Sequence, residues 1–547
     1  MNASAEINPR SKMNECPVIN VKPEINARPE VSLLQNENTT MQKNGTAMDT
    51  EETKRLKENF GAIAPAALAY AVLYVFCMYR NGSGITFPFF VGGSLIFLRY
   101  SSSRLGITLK KGSAWYMVAC LLLGISTFCT DDGRIILFNK LGIFLLAMSL
   151  LLKQYFDTAG WKFGKYLASI AQLVFASFGE LGRPVSDGML YRKNKKGGKD
   201  TKGWYVALGL LAGIPMLFVV LALLASADAI FGQMTSRFLE AVNIGNLFQI
   251  LLRIAVVFFA AYALTAYLCK RKIKEEVPDR RRGEPVLAIT VTGLLTAVYL
   301  LFSAVQIGGL FLGQLALPEG YTYAMYAREG FFQLLAVSFL NLGLVLACMS
   351  YFRESRALMG ILTVMSVCTF VMIASSAMRM MLYIQSYDLT FLRILVLWGL
   401  ALLAVLFVGV TVSIFRRDFP LFGYSMAAVA VLYLGLSFAH PDLIIAKVNT
   451  AKTPQPDYVY LHSLSADAAP VLVPYLESLD YHMEAFREDS PLRYGLEMEE
   501  DSDGGAFFGQ NTFGYYWMEA QKEDTAGMHL RNFNLSRYLA LRLLEGR

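Results

Sequence analysis

Charged residues are scarce in this chain of 547 residues. Asp, Glu, Lys and Arg make up 17% of it, whereas they make up about 25% of an average soluble protein. Hydrophobic residues make up 55%, and the mean hydropathy is +0.41. Because charged side chains are rarely buried, such a chain needs an apolar solvent for much of its length. The composition excludes an ordinary soluble protein and predicts an integral membrane protein.

The sequence also lacks the motifs of common enzyme and metal sites. It has no HExxH, GxSxG or P-loop pattern, and its seven cysteines form no CxxC or Cys/His spacing. The four histidines are too far apart for a local metal motif: His440, His462, His482 and His529. These absences favour a protein that is not an enzyme and leave an enzyme as an open alternative, and we expect no catalytic residue, no metal site and no cofactor.

Apolar runs of spanning length cover most of the chain. A helix needs about 20 residues to cross the hydrocarbon layer, and the runs are continuously apolar, which favours helices over barrel strands. Eleven runs are predicted as transmembrane helices: 62–79, 85–99, 113–129, 135–152, 203–227, 244–269, 286–313, 330–351, 357–381, 389–415 and 420–439. The second and fourth are the weakest, and the fourth contains Asn139 and Lys140.

The polar segments divide the chain into five regions. Residues 161–178 are amphipathic and are predicted to form a helix in the membrane interface, with a twelfth span as the alternative. The predicted regions are a disordered cytoplasmic tail at 1–59, a four-helix membrane region at 60–152, a basic cytoplasmic linker at 153–202, a seven-helix membrane domain at 203–439 and a small acidic, α-rich domain at 440–547.

The distribution of basic residues predicts an orientation. With the N terminus inside, the cytoplasmic loops hold 25 Lys and Arg residues and the short outer loops hold four. Cytoplasmic loops carry the excess of Lys and Arg in membrane proteins. An odd number of spans then places the C-terminal tail outside. We predict an all-α bundle in the plasma membrane, with the N terminus in the cytoplasm and the C terminus outside the cell.

Polar residues inside the predicted spans, or at their outer ends, predict a binding pocket. Arg253 lies about 13 Å deep at about 1.5 Å per residue, and a charge near the midplane costs about 3 kcal/mol unless it is paired or hydrated. We therefore expect the Arg253 side chain to face the bundle interior. An outward-facing pocket would suit an anionic lipid head group, a phosphate or the acidic tail, whereas snorkelling arginines beside an aromatic belt are the alternative. The candidates are Arg253, Gln306, Tyr326, Arg328, Glu329, Asn341, Arg379, Tyr383, Tyr387 and Arg393.

Five segments of the second half carry a family resemblance. They are FSAVQIGGLF (302–311), YAREGFFQLLAVSFLNL (326–342), RMMLYIQSYDLTFLR (379–393), DYVYLHSLSADAAPVL (457–472) and RNFNLSRYLALR (531–542). The chain resembles, from about residue 200 to its end, a bacterial membrane family named domain of unknown function 4173, which is close to family 4153. The resemblance implies a bacterial plasma-membrane protein of the Gram-positive type and no particular activity. The N-terminal zinc ribbon of some members is missing, because Cys16 is the one cysteine there.

Three classes of function remain open. The leading prediction is a non-enzymatic sensor, scaffold or envelope-associated component that contacts the lipid bilayer, binds a lipid head group or a membrane protein partner, and does not bind nucleic acid. A secondary transporter would line its path with Arg253, Asn341 and Gln306. A glycosyl- or lipid-transferase would hold a metal with Asp131, Asp132 and a carboxylate or histidine of the tail.

Overall fold

A computed structural model describes most of the chain after residue 49. The described residues are 50–158, 160–161, 163–195, scattered positions between 209 and 234, 244–273, 275, 281–308, 330–416, 418–452, 456–478, 499–500, 506–507, 517–523 and 527–545. Over these residues the protein is nearly all helical, with one antiparallel pair of two-residue strands.

The first part of the chain forms a helical bundle. Its helices are α1 Glu51–Glu58, α2 Phe60–Met78, α3 Thr86–Arg104, α4 Ser113–Cys129, α5 Gly133–Tyr155, α6 Phe163–Ser177, α7 Arg183–Lys195, α8 Ile244–Cys269, α9 Pro285–Gln306, α10 Phe331–Tyr351, α11 Arg356–Ser386, α12 Phe391–Phe415 and α13 Leu421–Phe438. The tail that follows contains α14 Pro441–Lys452, α15 Tyr458–His462, a 3-10 turn Ala466–Ala468, α16 Ala469–Ser478, β1 Glu499–Glu500, β2 Ala506–Phe507 and α17 Leu535–Glu545.

Among the described residues, eight helices are long and apolar enough to cross a membrane. They are α2, α5 and the six from α8 to α13. This confirms a multi-pass membrane protein. Helix α4 is shorter than these and α3 is not among them, while the predicted span 203–227 lies mostly outside the described residues. The count of eleven therefore stays a prediction.

Helix α1 lies inside the stretch that was predicted to be disordered, so that prediction is wrong for its eight residues. The Thr50 side chain accepts a hydrogen bond from Thr53 N (3.2 Å) and caps the helix. Leu56 is buried, and Glu52 pairs with Arg271 at the end of α8 (3.0 Å). Tertiary contacts order a segment whose composition is polar. Residues 1–49 lie outside the described part of the chain.

Contacts at the helix ends define a tail end and an opposite end of the bundle. Helix α3 runs between them. Its start lies at the tail end, where Ile85 N donates to Phe533 O (2.8 Å), and at its other end Arg55 of α1 donates to Leu105 O (3.3 Å). Helix α3 has 19 residues, which makes it about 28 Å long at about 1.5 Å per residue.

Helix α4 also runs from one end to the other. Lys110 N, before its start, donates to Gln154 at the end of α5 (3.0 Å), and Thr130 O, after its end, accepts from Asn534 of the tail (2.9 Å). Both α3 and α4 therefore run from one end of the bundle to the other, and the starts and ends of the helices from α2 to α5 alternate between the two ends.

Asn139, a polar residue within the predicted fourth span, joins three helices. It is buried on α5 and accepts hydrogen bonds from Tyr433 (2.8 Å) and Ser437 (2.7 Å) of α13. Its amide donates to Ser126 of α4 (3.3 Å). Because these partners satisfy the amide, an interior position in the membrane costs little.

Candidate functional site at the junction of tail and bundle

Three buried carboxylates lie where the tail meets the bundle. Asp132 lies between α4 and α5, Asp442 in the first turn of α14, and Asp467 in the 3-10 turn. Their exposed fractions are 2%, 0% and 4%. Buried carboxylates persist only with hydrogen bonds or opposite charges around them, so their partners decide what this site does.

Asp467 of the tail is held mainly by the end of α4. Its carboxylate accepts hydrogen bonds from Thr130 Oγ1 (2.5 Å) and Asp131 N (2.8 Å). It also lies 2.9 Å from Nδ1 of His440. Burial alone would raise the pKa of Asp467, but the hydrogen bonds from His440, Ser536, Thr130 and Asp131 hold it below its usual value. Asp467 is therefore a carboxylate anion at neutral pH.

Arg134 connects the bundle to the first tail helix. Its Nε and Nη2 donate to both oxygens of Asp132 (2.9 and 3.0 Å), and Nη2 also donates to Asp442 Oδ1. The guanidinium carbon lies 4.0 Å from the centre of the Phe391 ring, at the start of α12. The other oxygen of Asp442 accepts from Ser465 N (3.0 Å). One arginine thus joins α5, α12 and α14.

Two further contacts attach the C-terminal segment to the same place. Arg537 Nε donates to Asp131 Oδ1 (2.6 Å). Asn534 donates to Thr130 O, and its side-chain oxygen accepts from Ser536 N (3.0 Å), which caps α17. The tail is therefore fixed to the α4–α5 connection from two separate stretches of sequence.

The third contact of this segment is with the α2–α3 connection. Arg531 Nη2 donates to Tyr79 O at the end of α2 (2.8 Å), where cations satisfy free carbonyl groups. Arg531 O accepts from Asn81 Nδ2 (3.0 Å). A Cβ atom on Gly84 would lie 2.5 Å from the Asn532 Cα, so glycine is required for this close approach.

The charges of the junction do not balance. Asp132, Asp442 and Asp467 face one arginine, Arg134, and one histidine, His440. The hydrogen bond to Asp467 raises the pKa of His440 above its usual value, although burial opposes this. Burial, together with the charge of Asp132, raises the pKa of Asp442. The arrangement therefore favours the protonated forms of His440 and Asp442, whereas Asp467 stays a carboxylate.

Some of the predicted pocket residues do meet in the bundle. Gln306 of α9 accepts from Ser375 Oγ (2.6 Å) and from Arg379 Nη2 of α11 (3.5 Å). Gly330, at the start of α10, lies against Arg379, because a Cβ there would come within 3.3 Å of its Nη1. Gln306 and Arg379 are both buried. A polar group inside the bundle thus joins α9, α10 and α11.

Three other candidates form an aromatic and cationic group at the tail end. The rings of Tyr383 and Tyr387 lie 4.8 Å apart. The Arg393 guanidinium lies 4.4 Å from the first ring and 5.9 Å from the second. Nearby, Lys452 of α14 donates to Tyr387 O (2.9 Å). This group therefore borders the tail.

The remaining candidates lie elsewhere. Asn341 is buried and donates to Thr369 Oγ1 (2.9 Å). Arg253 is exposed, not inside the bundle as we expected, and its guanidinium lies 5.1 Å from the centre of the Tyr79 ring. That aromatic ring at the end of α2 gives the cation a partner on the bundle surface. Tyr326, Arg328 and Glu329 lie outside the described residues.

The comparison with known families decides between the related families that the sequence resembles. A family model described as domain of unknown function (DUF4153) matches residues 117–475. The chain belongs to the DUF4153 family. The DUF4173 family, which the sequence segments resemble, is not the one matched. No curated protein and no solved structure matches the chain.

The matched DUF4153 region contains the centre of the junction. Asp132, Arg134, Asp442 and Asp467 all lie within it, whereas Asn534 and Arg537 follow it. Sequence reasoning named Asp132 but treated Arg134 as an ordinary loop charge and did not single out the two tail carboxylates. A usable signal was their position, because each charge lies within a few residues of a helix start or a predicted span boundary. Their partners are far apart in sequence and depend on the fold.

The transferase prediction for this DUF4153 protein placed Asp131 and Asp132 near acidic or histidine residues of the tail. The structure brings Asp131 and Asp132 to the tail, but it pairs them with Arg537 and Arg134. Among the described residues, no group of three His, Cys, Asp or Glu side chains could hold a metal ion. The geometry here is that of an ion-paired joint between two parts of one chain.

Proposed function

We propose that this DUF4153 protein is a non-enzymatic sensor or scaffold of the bacterial plasma membrane. In this proposal the tail lies outside the cell and communicates with the bundle through the junction. The observation that carries the proposal is one continuous network of hydrogen bonds and ion pairs between the tail and the bundle. Asp467 of the tail accepts a hydrogen bond from Thr130, whose hydroxyl accepts from Asp132 N. Arg134 then pairs with both Asp132 and Asp442 of the tail.

The proposed orientation has eleven spans, a cytoplasmic N terminus and an external tail. Lys110, Lys270 and Arg271 lie at the opposite end of the bundle, among the ends of α3, α5 and α8. Basic residues concentrate on the cytoplasmic side of membrane proteins. The basic end is thus the end away from the tail, which supports an external tail.

Fusions at residue 547 test the orientation. An external C terminus predicts an active alkaline-phosphatase fusion and a dark GFP fusion. A fluorescent GFP fusion with an inactive phosphatase fusion would place the tail in the cytoplasm and contradict the proposed orientation.

A docked tail is expected to set the signalling state of the bundle. The pocket proposed at the tail end, around Tyr383, Tyr387 and Arg393, borders α14 through Lys452. A ligand that binds there, such as an anionic head group or a membrane protein partner, would alter the docking of the tail. The junction joins the ends of α4, α5 and α12 to α14. Release of the tail would therefore remove contacts from several spans at once.

Undocking the tail tests the signalling role. Asp467→Ala removes the acceptor of three junction hydrogen bonds. The control is Glu519→Ala, which removes an exposed carboxylate of the tail. In a knockout strain, we expect the first variant to give a transcript profile that differs from wild type and from the knockout. A wild-type profile, in cells whose tail is shown by hydrogen exchange to be released, would contradict a sensor.

A further inference from the structure

Helix α6 presents an apolar stripe to its surroundings. Phe163, Leu167 and Phe175 lie on one face at helical spacing, with exposed fractions of 61%, 59% and 74%. Phe178, in the turn that follows, is also exposed. Large aromatic side chains rarely cover one whole face of a helix in water.

The opposite face of α6, which packs on the bundle, is mixed, because Tyr166 and Leu173 are buried there beside Ser169 and Ser177. Gln172 is exposed and donates to the Tyr267 hydroxyl of α8 (3.1 Å). Glu180, just after the helix, is buried in ion pairs with Lys270 and Arg183. A surface helix in water has its polar side outward. Helix α6 instead presents Phe163, Leu167 and Phe175 outward, which fits an apolar surrounding medium.

Helix α6 lies across the ends of the spans. Near its start, Tyr166 stacks on Phe422 at the start of α13, with ring centres 3.5 Å apart. Its middle contacts Tyr267, and the turn after it contacts Lys270, both at the end of α8. Over its 15 residues the helix thus stays at the level of the opposite end of the bundle. Its length of about 22 Å at about 1.5 Å per residue is also below the roughly 30 Å of the hydrocarbon layer.

The sequence after α6 is strongly basic. Residues 183–202 contain seven Lys and Arg residues and two Asp residues. Arg192 and Lys193 are exposed on α7. Basic residues next to an apolar helix face attract anionic lipid head groups, at about 1 kcal/mol per charge near the surface.

We propose that α6 lies flat in the membrane leaflet at the opposite end of the bundle and that the basic stretch after it binds anionic head groups. Phe163, Leu167 and Phe175 enter the boundary between head groups and acyl chains, about 5–10 Å deep. We assign lipid as the occupant because Phe163 of the stripe lies beside Phe422 of the span α13, with ring centres 6.1 Å apart, and because the basic stretch that follows complements an anionic surface. The proposal uses the membrane location of the bundle but not the sensor role or the orientation.

Fluorescence quenching in lipid nanodiscs tests the position of α6. Leu167→Cys and Phe175→Cys, in the full chain, would carry a bimane label, with Glu523→Cys, an exposed position of the tail, as the control in water and the parent chain as background. We expect both stripe labels to be quenched several-fold more by phosphatidylcholine with a shallow doxyl group than the control label is. We expect iodide in solution to show the reverse order.

Two results would overturn the flat position. Stronger quenching of the stripe labels by iodide than by doxyl lipid would place α6 in water, where a soluble protein would have to cover it. Leu167 and Phe175 are two helical turns apart, about 12 Å along the axis. A clear difference between them in the ratio of shallow to deep doxyl quenching would mean that α6 crosses the membrane. Neither result depends on which side the tail occupies.

Native mass spectrometry tests the head-group contact. Arg192→Gln combined with Lys193→Gln should retain several-fold less phosphatidylglycerol than wild type, without change for phosphatidylcholine. The matched control is Arg542→Gln, which removes an exposed basic residue of the tail. Equal retention by the double variant and the control would overturn the head-group part of the proposal.

Discussion

Each end of the bundle contains a cluster of buried charges, and the two clusters differ in balance. At the opposite end, Glu180 and Asp187 face Arg183 and Lys270, so the charges are equal. Tyr262 of α8 also donates to Asp187 (3.1 Å). At the tail end, three carboxylates face one arginine and one histidine. The first arrangement fits a fixed clamp between α7 and α8, whereas the second holds more negative than positive charge.

The difference predicts where protonation matters. Burial alone would raise the pKa of Glu180, but Lys270 and Arg183 hold it below its usual value, so it stays ionised at neutral pH. The cause of the raised pKa of Asp442 is burial, reinforced by Asp132. Burial also raises the pKa of Asp187 in the opposite cluster, although Arg183 and Tyr262 oppose this, so each end has a carboxylate with a raised pKa. Of the two clusters, only the junction contains a histidine. We therefore expect the strength of the junction to depend on pH near neutrality, and it is also the end that the proposed function requires to change state.

The largest expected effect is the loss of Asp467. Asp467→Ala leaves His440, Thr130 and Asp131 N without their acceptor, and removing one partner of a buried ionic network costs about 3–5 kcal/mol. We expect hydrogen exchange at 527–545 to become much faster, while α7 and α8 keep their protection. Uniformly faster exchange at both ends would show that the two clusters are not independent, and Glu519→Ala, at an exposed position of the tail, should change neither.

The second prediction tests close packing without changing a charge. Gly84→Val would place side-chain atoms against the Asn532 backbone, and overpacking costs about 1–3 kcal/mol. We expect faster release of the tail in limited proteolysis. Gly133→Val is the control, because nothing lies within 4 Å of a Cβ at that position. If Gly84→Val leaves the tail as resistant as wild type, the attachment relies on the charged cluster alone.

A third prediction compares one carboxylate from each cluster. Glu180→Gln removes a charge that two cations stabilise, so we expect a loss of about 1–2 kcal/mol in stability at pH 7. Asp442→Asn keeps the shape and relieves an excess of negative charge, so we expect a smaller loss or a gain. Thermal unfolding in detergent at pH 7 would measure both. A larger loss of stability for Asp442→Asn than for Glu180→Gln would contradict the distinction between a balanced and an unbalanced cluster.

The sequence predicts the bundle well and the junction poorly, for a physical reason. Long apolar runs are local features, and within the described part of the chain the eight helices long and apolar enough to span the membrane all lie on predicted runs. The contacts of Asp467 with Thr130 and of Arg134 with Asp442 join positions more than 300 residues apart, and no local pattern contains such a pair. Asn139 shows the same limit. Its polar side chain weakened the prediction of the fourth span, but in the structure Tyr433 and Ser437 of α13 donate hydrogen bonds to it. Helix α1 is ordered by packing that composition does not show.

The smallest expected effect is a dependence of docking on pH, and it sharpens the comparison most. The folded-state pKa of His440 lies above the ordinary value of 6.5, so its contribution to docking is complete below pH 6.5 and is lost as pH rises through the folded-state pKa. Hydrogen exchange at 527–545 should therefore speed up across this interval, after correction for the intrinsic rate, and exchange at α7 should not. His440→Gln should remove the dependence. If the dependence persists in that variant, another group of the junction, with Asp442 the first to test, takes up the proton.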